Sequence, residues 1–325
     1  MLGHGVKMNF RTISDLNSII NKYIYKVPDD VDLIVGIPRS GMLAASMISL
    51  FLNLPLTDFN SMIRGEVFES GRTKMKKDWI SNLDEARKIL VVEDSSSTGK
   101  SLKDAKKSLE GFKFADKIVF LTIYVTGETI PLTDLWFERV DAPRMFEWNY
   151  LHHSRLDNMC FDMDGVLCVD PTPEQNDDGA QYVQFIRNAP IRIVPTYKIG
   201  YIITSRLEKY REDTEYWLKI NGIKYGELIM MPYKTKEERL QHGSHGVFKG
   251  EYYKRLKSTY MFVESEAIQA EEIARISGKT VFCTENQKVY NESNIVRRKE
   301  NAKRLIKRIL PNQVKKILKR ILMKK

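Results

Sequence analysis

The sequence reads as an α/β chain of two parallel-sheet domains, residues 1–155 and 156–292, followed by a basic amphipathic helical tail over residues 293–325. Three observations carry this reading. Short apolar runs rich in β-branched residues end in acidic or hydroxyl-bearing loops that lead into helical patterns, which suits buried parallel strands. At 325 residues and 42% hydrophobic content the chain has room for two cores. The formal net charge is +10, yet residues 297–325 hold 13 Lys and Arg against one acid, Glu300, so the remainder is slightly acidic. The partner implied by positive charge therefore belongs to the tail.

Composition removes several function classes. Cys160, Cys168 and Cys283 show no Cys-x-x-Cys spacing, which points to a reducing compartment and gives neither a zinc site nor a disulfide framework. The first residues carry no signal-peptide pattern. The longest apolar segment, residues 42–56, is interrupted by Ser46, Ser49 and Asn53, which makes it a core helix rather than a membrane span.

In chain order, Ile13, Leu16, Ile19, Ile20 and Tyr23 recur at helical spacing within residues 10–25. Residues 32–41 read as a strand and a tight loop of Arg39, Ser40 and Gly41, with a helix from Met42. Residues 63–77 hold two glycines and five basic residues, the composition of a solvated hairpin. Ile89, Leu90, Val91 and Val92 form a buried strand whose end carries the acidic pair Glu93 and Asp94. The loop Ser95, Ser96, Ser97, Thr98 and Gly99 then leads into a helix over residues 102–109. Such a loop turns backbone N–H groups toward a phosphate, with the helix N-terminus adding partial positive charge. The acidic pair is suited to accept hydrogen bonds from sugar hydroxyls. An ordinary strand-to-helix turn can carry the same residue types.

Strand, Glu-Asp, small-residue loop, Thr-Gly and helix together resemble the phosphoribosyl-pyrophosphate (PRPP) loop of the type I phosphoribosyltransferases. The resemblance implies that Glu93, Asp94, Ser95, Ser96, Ser97, Thr98 and Gly99 bind PRPP. It makes Arg39, Ser40 and Gly41 the pyrophosphate loop, and residues 63–77 a hood whose Arg72, Lys74 and Lys76 are candidates to touch substrate. Beyond a strand at residues 117–124, Trp136, Phe137, Phe146 and Trp148 are read as packing between domains or as a face for the acceptor sugar. On the second reading Trp148→Ala raises the acceptor KM and leaves PRPP affinity alone.

The next strand signal, residues 159–167, contains Asp162 and Asp164 two apart, able to address one phosphate site as the chain curls into Gly165. This Asp-x-Asp-Gly-Val motif resembles the haloacid dehalogenase-like (HAD) phosphatases, which implies a Rossmannoid sheet with Asp162 as nucleophile and Asp164 as acid and base. By the same resemblance Thr204, beside Ser205 at the end of strand 201–206, binds phosphoryl oxygens. Lys249, ahead of a helical run, neutralises the phosphoryl group, with Lys254 and Lys257 as rivals. Mg2+ is held by Asp162, the Asp164 carbonyl and Glu264, with Glu266 the rival where the family has aspartate. His242 and His245 read as a solvated loop, having no third ligand in register. Only 42 positions separate Asp162 from Thr204, which implies a capless, open site.

In the tail Leu305, Ile306, Ile309, Leu310, Val314, Ile317, Leu318, Ile321 and Leu322 recur at spacings of three and four among Lys and Arg, with Pro311 dividing two helices. That pattern suits a helix lying on an anionic membrane surface, at about 1 kcal/mol per basic residue near it. Docking on the chain's own body ranks behind it and nucleic acid last. The whole arrangement resembles the two-domain ribofuranosyltransferases of bacterial polysaccharide synthesis, O antigen or capsule. It implies a bifunctional enzyme that transfers 5-phosphoribosyl from PRPP to a glycan acceptor, lipid-linked on the cytoplasmic face of the membrane, and then removes the 5-phosphate. The alternatives are a nucleobase phosphoribosyltransferase fused to a nucleotide phosphatase, or a PRPP-sensing regulator. Acceptor identity and oligomeric state are not read from the sequence.

Overall fold

Alternation within two apolar runs builds the first sheet. Ile34, Leu90 and Val92 face one side, while Leu33, Val35, Ile89 and Val91 face the other. Both sides are apolar, so both must be covered by helices. The computed structural model describes residues 8–66, 80, 82–235, 238, 245–291, 294 and 295. It falls into two units, residues 9–148 and the described residues outside that range.

The first unit begins with β1 (Asn9–Arg11), α1 (Ile13–Tyr23), β2 (Val31–Gly36), α2 (Gly41–Leu52), β3 (Leu56–Asp58) and α3 (Phe59–Ile63). It continues through β4 (Lys88–Ser95), α4 (Lys100–Ser108), β5 (Ile118–Val125), β6 (Leu135–Arg139) and β7 (Arg144–Phe146). Five strands form a parallel sheet in the order β3-β2-β4-β5-β6, and β1 pairs with β7. α1 starts at Ile13 because the Thr12 side chain accepts from the Asp15 amide while Asp15 returns the bond, a reciprocal cap. Leu16, Ile20, Ala44 and Ile48 from α1 and α2 cover one sheet face. Phe59, Met62, Leu102 and Ala105 from α3 and α4 cover the other. Strand order reverses between β2 and β4, the position at which a doubly wound sheet opens a crevice beyond its strand ends.

The second unit contains β8 (Met159–Phe161), α5 (Ala180–Asn188), β9 (Ile199–Leu207), α6 (Arg211–Ile220) and β10 (Tyr225–Met231). After these come α7 (His245–Arg255), β11 (Met261–Glu264), α8 (Ala267–Ser277), β12 (Thr280–Cys283) and β13 (Lys288–Tyr290). The sheet order is β10-β9-β8-β11-β12-β13, parallel except for β13. Its reversal lies between β8 and β11. Tyr253 from α7 and Ala270, Ile273 and Ala274 from α8 pack over Cys160, Ile203, Phe262 and Val281.

Several expectations change. Residues 149–155 pack with the second unit, because Tyr150 stacks on Phe161 and meets Phe282 edge-on. The aromatic stretch supplies two strands, β6 and β7, and Phe137 and Phe146 belong to the first unit's own core. α7 includes both Lys249 and His245, so the helix starts earlier than expected and His245 is not in a loop. The expected hood falls mostly on residues 67–79, outside the described residues, as do His242 and the tail apart from 294 and 295. Among the described residues no helix is long and apolar enough to cross a membrane. Cys160, Cys168 and Cys283 are free and buried.

Gly41 shows how tightly the first reversal point is built. A Cβ there would lie 2.7 Å from the Val92 carbonyl oxygen, a backbone atom that cannot rotate away. Gly41→Ala is expected to push α2 off β4 and cost about 1–3 kcal/mol by overpacking. Urea unfolding measures it, and wild-type stability in this variant would contradict the close approach.

Candidate functional site

At the first reversal point a cavity of about 620 Å3 opens beyond β2 and β4. Its walls are Ile37, Pro38, Phe59, Asn60, residues 95–101 and the outer turns of α4. The sequence-predicted loop Ser95, Ser96, Ser97, Thr98 and Gly99 thus lines it. Thr129 Oγ1 donates to the Ser96 carbonyl at 3.1 Å and Thr126 Oγ1 to that of Ser97 at 3.3 Å, which fixes the loop from β5's side. Gly99 is the N-cap of α4, so the first N–H groups of that helix open toward the cavity. Arg39 is exposed on the turn after β2, behind a cis Pro38–Arg39 peptide. Ser40 is the N-cap of α2, and Gly41 is buried against β4. None of these three forms part of the cavity wall.

Glu93 and Asp94 are within β4 rather than beyond it, 6% and 1% exposed. Ser101 Oγ donates to Glu93 Oε2 at 2.6 Å, and Trp148 Nε1 donates to Asp94 Oδ2 at 2.8 Å. Burial, opposed by the Ser101 bond and reinforced by the charge of Asp94, pushes the Glu93 carboxyl up to about 8. Trp148 stacks on Phe146 at 5.0 Å, so an aromatic platform aims the indole at Asp94. The sequence offered Trp148 as inter-domain packing or as an acceptor face; its bond to Asp94 couples it to the acidic pair of its own unit.

At the second reversal point Lys249 Nζ, reaching from α7, donates to Asp162 Oδ2 at 2.5 Å, Glu264 Oε2 at 2.8 Å and Gln269 Oε1 at 2.8 Å. Burial alone would lower the Lys249 ammonium, but the two carboxylates outweigh it and hold it above the lysine range. Burial raises Asp162, against the attraction of Lys249 and with the repulsion of Glu264. Lys254 and Lys257 are exposed and take no part. Glu266 is exposed and accepts from Gln269 at 2.9 Å, so Glu264 is the acid that faces Asp162 across Lys249. Thr204 Oγ1 accepts from the Arg206 amide at 3.2 Å, which leaves its hydroxyl hydrogen available to a ligand.

Asp164 is held apart from this cluster. Arg206, fully buried, grips its carboxylate through Nη2 at 2.6 Å and Nε at 3.1 Å. Thr214 Oγ1 accepts from the same guanidinium at 3.3 Å. Sequence reasoning missed Arg206, although two residues after Thr204 on one strand it shares that residue's side of the sheet. Gln269 and Ser265 left no signal. Gly165 has φ +73° and a Cβ there would run into Ser265, so the turn that presents Asp164 requires glycine.

The Asp164 carbonyl lies 3.4 Å from Ser265 Oγ. Carboxylate and carbonyl oxygens are what Mg2+ takes, so Asp162, Glu264 and that carbonyl fit such an ion. Among the described residues no group of three or more His, Cys, Asp and Glu side chains is placed to hold a metal. A cation here would therefore rest on two carboxylates, one carbonyl and water.

Glu93 generates a pH prediction. Its folded value stands above its ordinary 4.5, so the stability it contributes is complete below about 4.5 and lost as pH rises through about 8. Glu93→Gln, which can still accept from Ser101, lacks that loss. The melting temperature of the variant minus that of wild type should grow between pH 5 and pH 8, and a constant difference would contradict the burial.

No protein-family model matches the sequence, and no curated protein matches it. Among solved structures, a purine phosphoribosyltransferase from Pyrococcus horikoshii Ot3 is similar at 19% identity and a TM-score of 0.32, over 43% of this chain and 93% of its own. The Helicobacter pylori xanthine-guanine-hypoxanthine phosphoribosyltransferase shares 15% identity over 45% of this chain and 95% of its own, with a TM-score of 0.34. An orotate phosphoribosyltransferase from Aeropyrum pernix is 16% identical over 39% of this chain and 72% of its own, at a TM-score of 0.26.

Proposed function

We propose that this chain is a bifunctional ribofuranosyltransferase: it moves 5-phosphoribosyl from PRPP to a glycan acceptor and then removes the 5-phosphate. What supports the reading is one repeated observation. Each parallel sheet carries, at its own reversal point, groups suited to phosphate: an amide-rich loop beside Glu93 and Asp94 in one and the Asp162, Lys249 and Glu264 cluster in the other.

In the first step an acceptor hydroxyl attacks the anomeric carbon and pyrophosphate leaves. Loop residues 95–99 hold the 5-phosphate, and the acidic pair accepts the ribose hydroxyls. Because PRPP is the α-anomer, one in-line displacement gives a β-ribofuranosyl product. In the second step the Asp162 carboxylate attacks phosphorus and the sugar oxygen leaves with a proton from Asp164, which later takes one from water. Lys249 offsets the phosphoryl charge and Thr204 donates to its oxygens. Mg2+ held by Asp162, Glu264 and the Asp164 carbonyl would draw charge from the same oxygens. The basic tail suits a lipid-linked acceptor at an anionic cytoplasmic membrane face.

Asp162→Asn, with PRPP, Mg2+ and candidate lipid-linked glycans, should accumulate a product about 80 Da heavier than the wild-type product, one phosphoryl group in place of hydrogen. The same final mass from both proteins would sink the two-step scheme, and a nucleoside product would make the acceptor a nucleobase.

Trp148→Phe keeps the aromatic stack and deletes the donor to Asp94. It should weaken PRPP binding roughly tenfold, read by calorimetry. Unchanged PRPP affinity would detach Asp94 from the sugar.

A further inference from the structure

The segment between β8 and β9 carries a second cavity, of about 330 Å3, walled by Gln175, Gln181, Gln184, Phe185, Asn188 and Pro190. α5 builds most of it. Gln181, Gln184, Phe185 and Asn188 stand at i, i+3, i+4 and i+7, which places them on one helix face. Phe185, buried and stacked on Tyr182, gives that face an apolar floor.

The wall contains four primary amides and no charged side chain. Arg187, on the same helix, is turned to Asp213 at 2.5 Å. Gln181, Gln184 and Asn188 are exposed, so the wall offers a phosphate or carboxylate no counter-charge beyond what water gives it. Neutral amides each donate and accept, which matches a hydroxyl that does both. Asn188 Nδ2 is used on the Gln184 carbonyl at 2.8 Å, and Gln175 Oε1 accepts the Thr172 amide at 2.9 Å, so Asn188 keeps its oxygen and Gln175 its NH2 for a ligand. The side-chain amides of Gln181 and Gln184 hold no hydrogen bond among the described residues. The volume is at the low end of ligand pockets, roughly 300–1,000 Å3, which suits one or two sugar rings.

The cavity is fastened to the Asp162 loop within the same unit. Val169 N donates to the Pro190 carbonyl at 3.1 Å, Arg192 N to the Leu167 carbonyl at 2.9 Å, and Arg192 Nη1 to the Gly165 carbonyl at 2.6 Å. A wall residue and the turn after Asp164 are thus bound into one piece of backbone.

We propose that this cavity is a subsite for a neutral sugar ring, holding the glycan while its phosphorylated end is processed at Asp162. It rests on the proposed function in taking a glycan as substrate. The full chain is titrated with methyl α-glucoside, methyl β-galactoside, methyl N-acetyl-β-glucosaminide and methyl α-rhamnoside, followed by saturation-transfer NMR. At least one glycoside should bind, and Gln181→Ala with Gln184→Ala should weaken it roughly tenfold, thermal melting showing that the double variant is folded. No binding of any of the four, or an unchanged dissociation constant in the double variant, overturns the subsite. Binding is read without turnover. Its loss while Asp162→Asn still accumulates the heavier product removes the subsite alone, and sugar binding without that product removes the two-step scheme alone.

Discussion

A single buried ammonium organises the second unit. Lys249 is 1% exposed, and removing an ion from water costs several kcal/mol unless partners of opposite charge surround it. Two carboxylates and one neutral amide oxygen surround the ammonium, each from a separate element: Asp162 from the end of β8, Glu264 from the end of β11 and Gln269 from α8. Displacing either carboxylate leaves a buried charge less compensated in a medium of low dielectric. The cluster therefore ties helix and strand ends together at the reversal point, where the sheet leaves a crevice. An apolar core of equal volume would serve stability as well or better. Three charges stand there in its place, Lys249 paired with Asp162 and Glu264.

The first unit meets a related difficulty by another route. Glu93 and Asp94 are neighbours on one buried strand end, and among the described residues no lysine is bonded between them. Burial and mutual repulsion favour a proton on Glu93, while Ser101 and Trp148 supply neutral donors. Arg144 is buried nearby, but it donates to the Val140 carbonyl at 3.1 Å and bonds neither acid. One site thus fixes its carboxylates around a cation, and the other holds them by hydrogen bonds from neutral donors.

Arg206 adds a constraint on Asp164. A bidentate guanidinium fixes the direction of a carboxylate as well as compensating its charge. Asp162 and Asp164, two apart in sequence, therefore have different partners: an ammonium on a helix for one and a guanidinium on a strand for the other. Chemistry that needs a nucleophile and a separate acid and base requires such a division.

The strands at the two reversal points could be read from residue order, since apolar runs such as Ile89 to Val92 and Met159 to Phe161 end at acids under local rules. The loop at 95–99 and the Asp162, Asp164, Thr204 series stood out through their resemblance to known family motifs, each carried by a short local segment. Lys249 and Glu264 stood out in the sequence with rivals left open, and the Trp148 bond to Asp94 and the Arg206 grip on Asp164 were not legible. Each joins residues far apart in the chain, and a side chain's partner at that range is set by which helix face meets which strand end. Periodicity alone leaves that packing open.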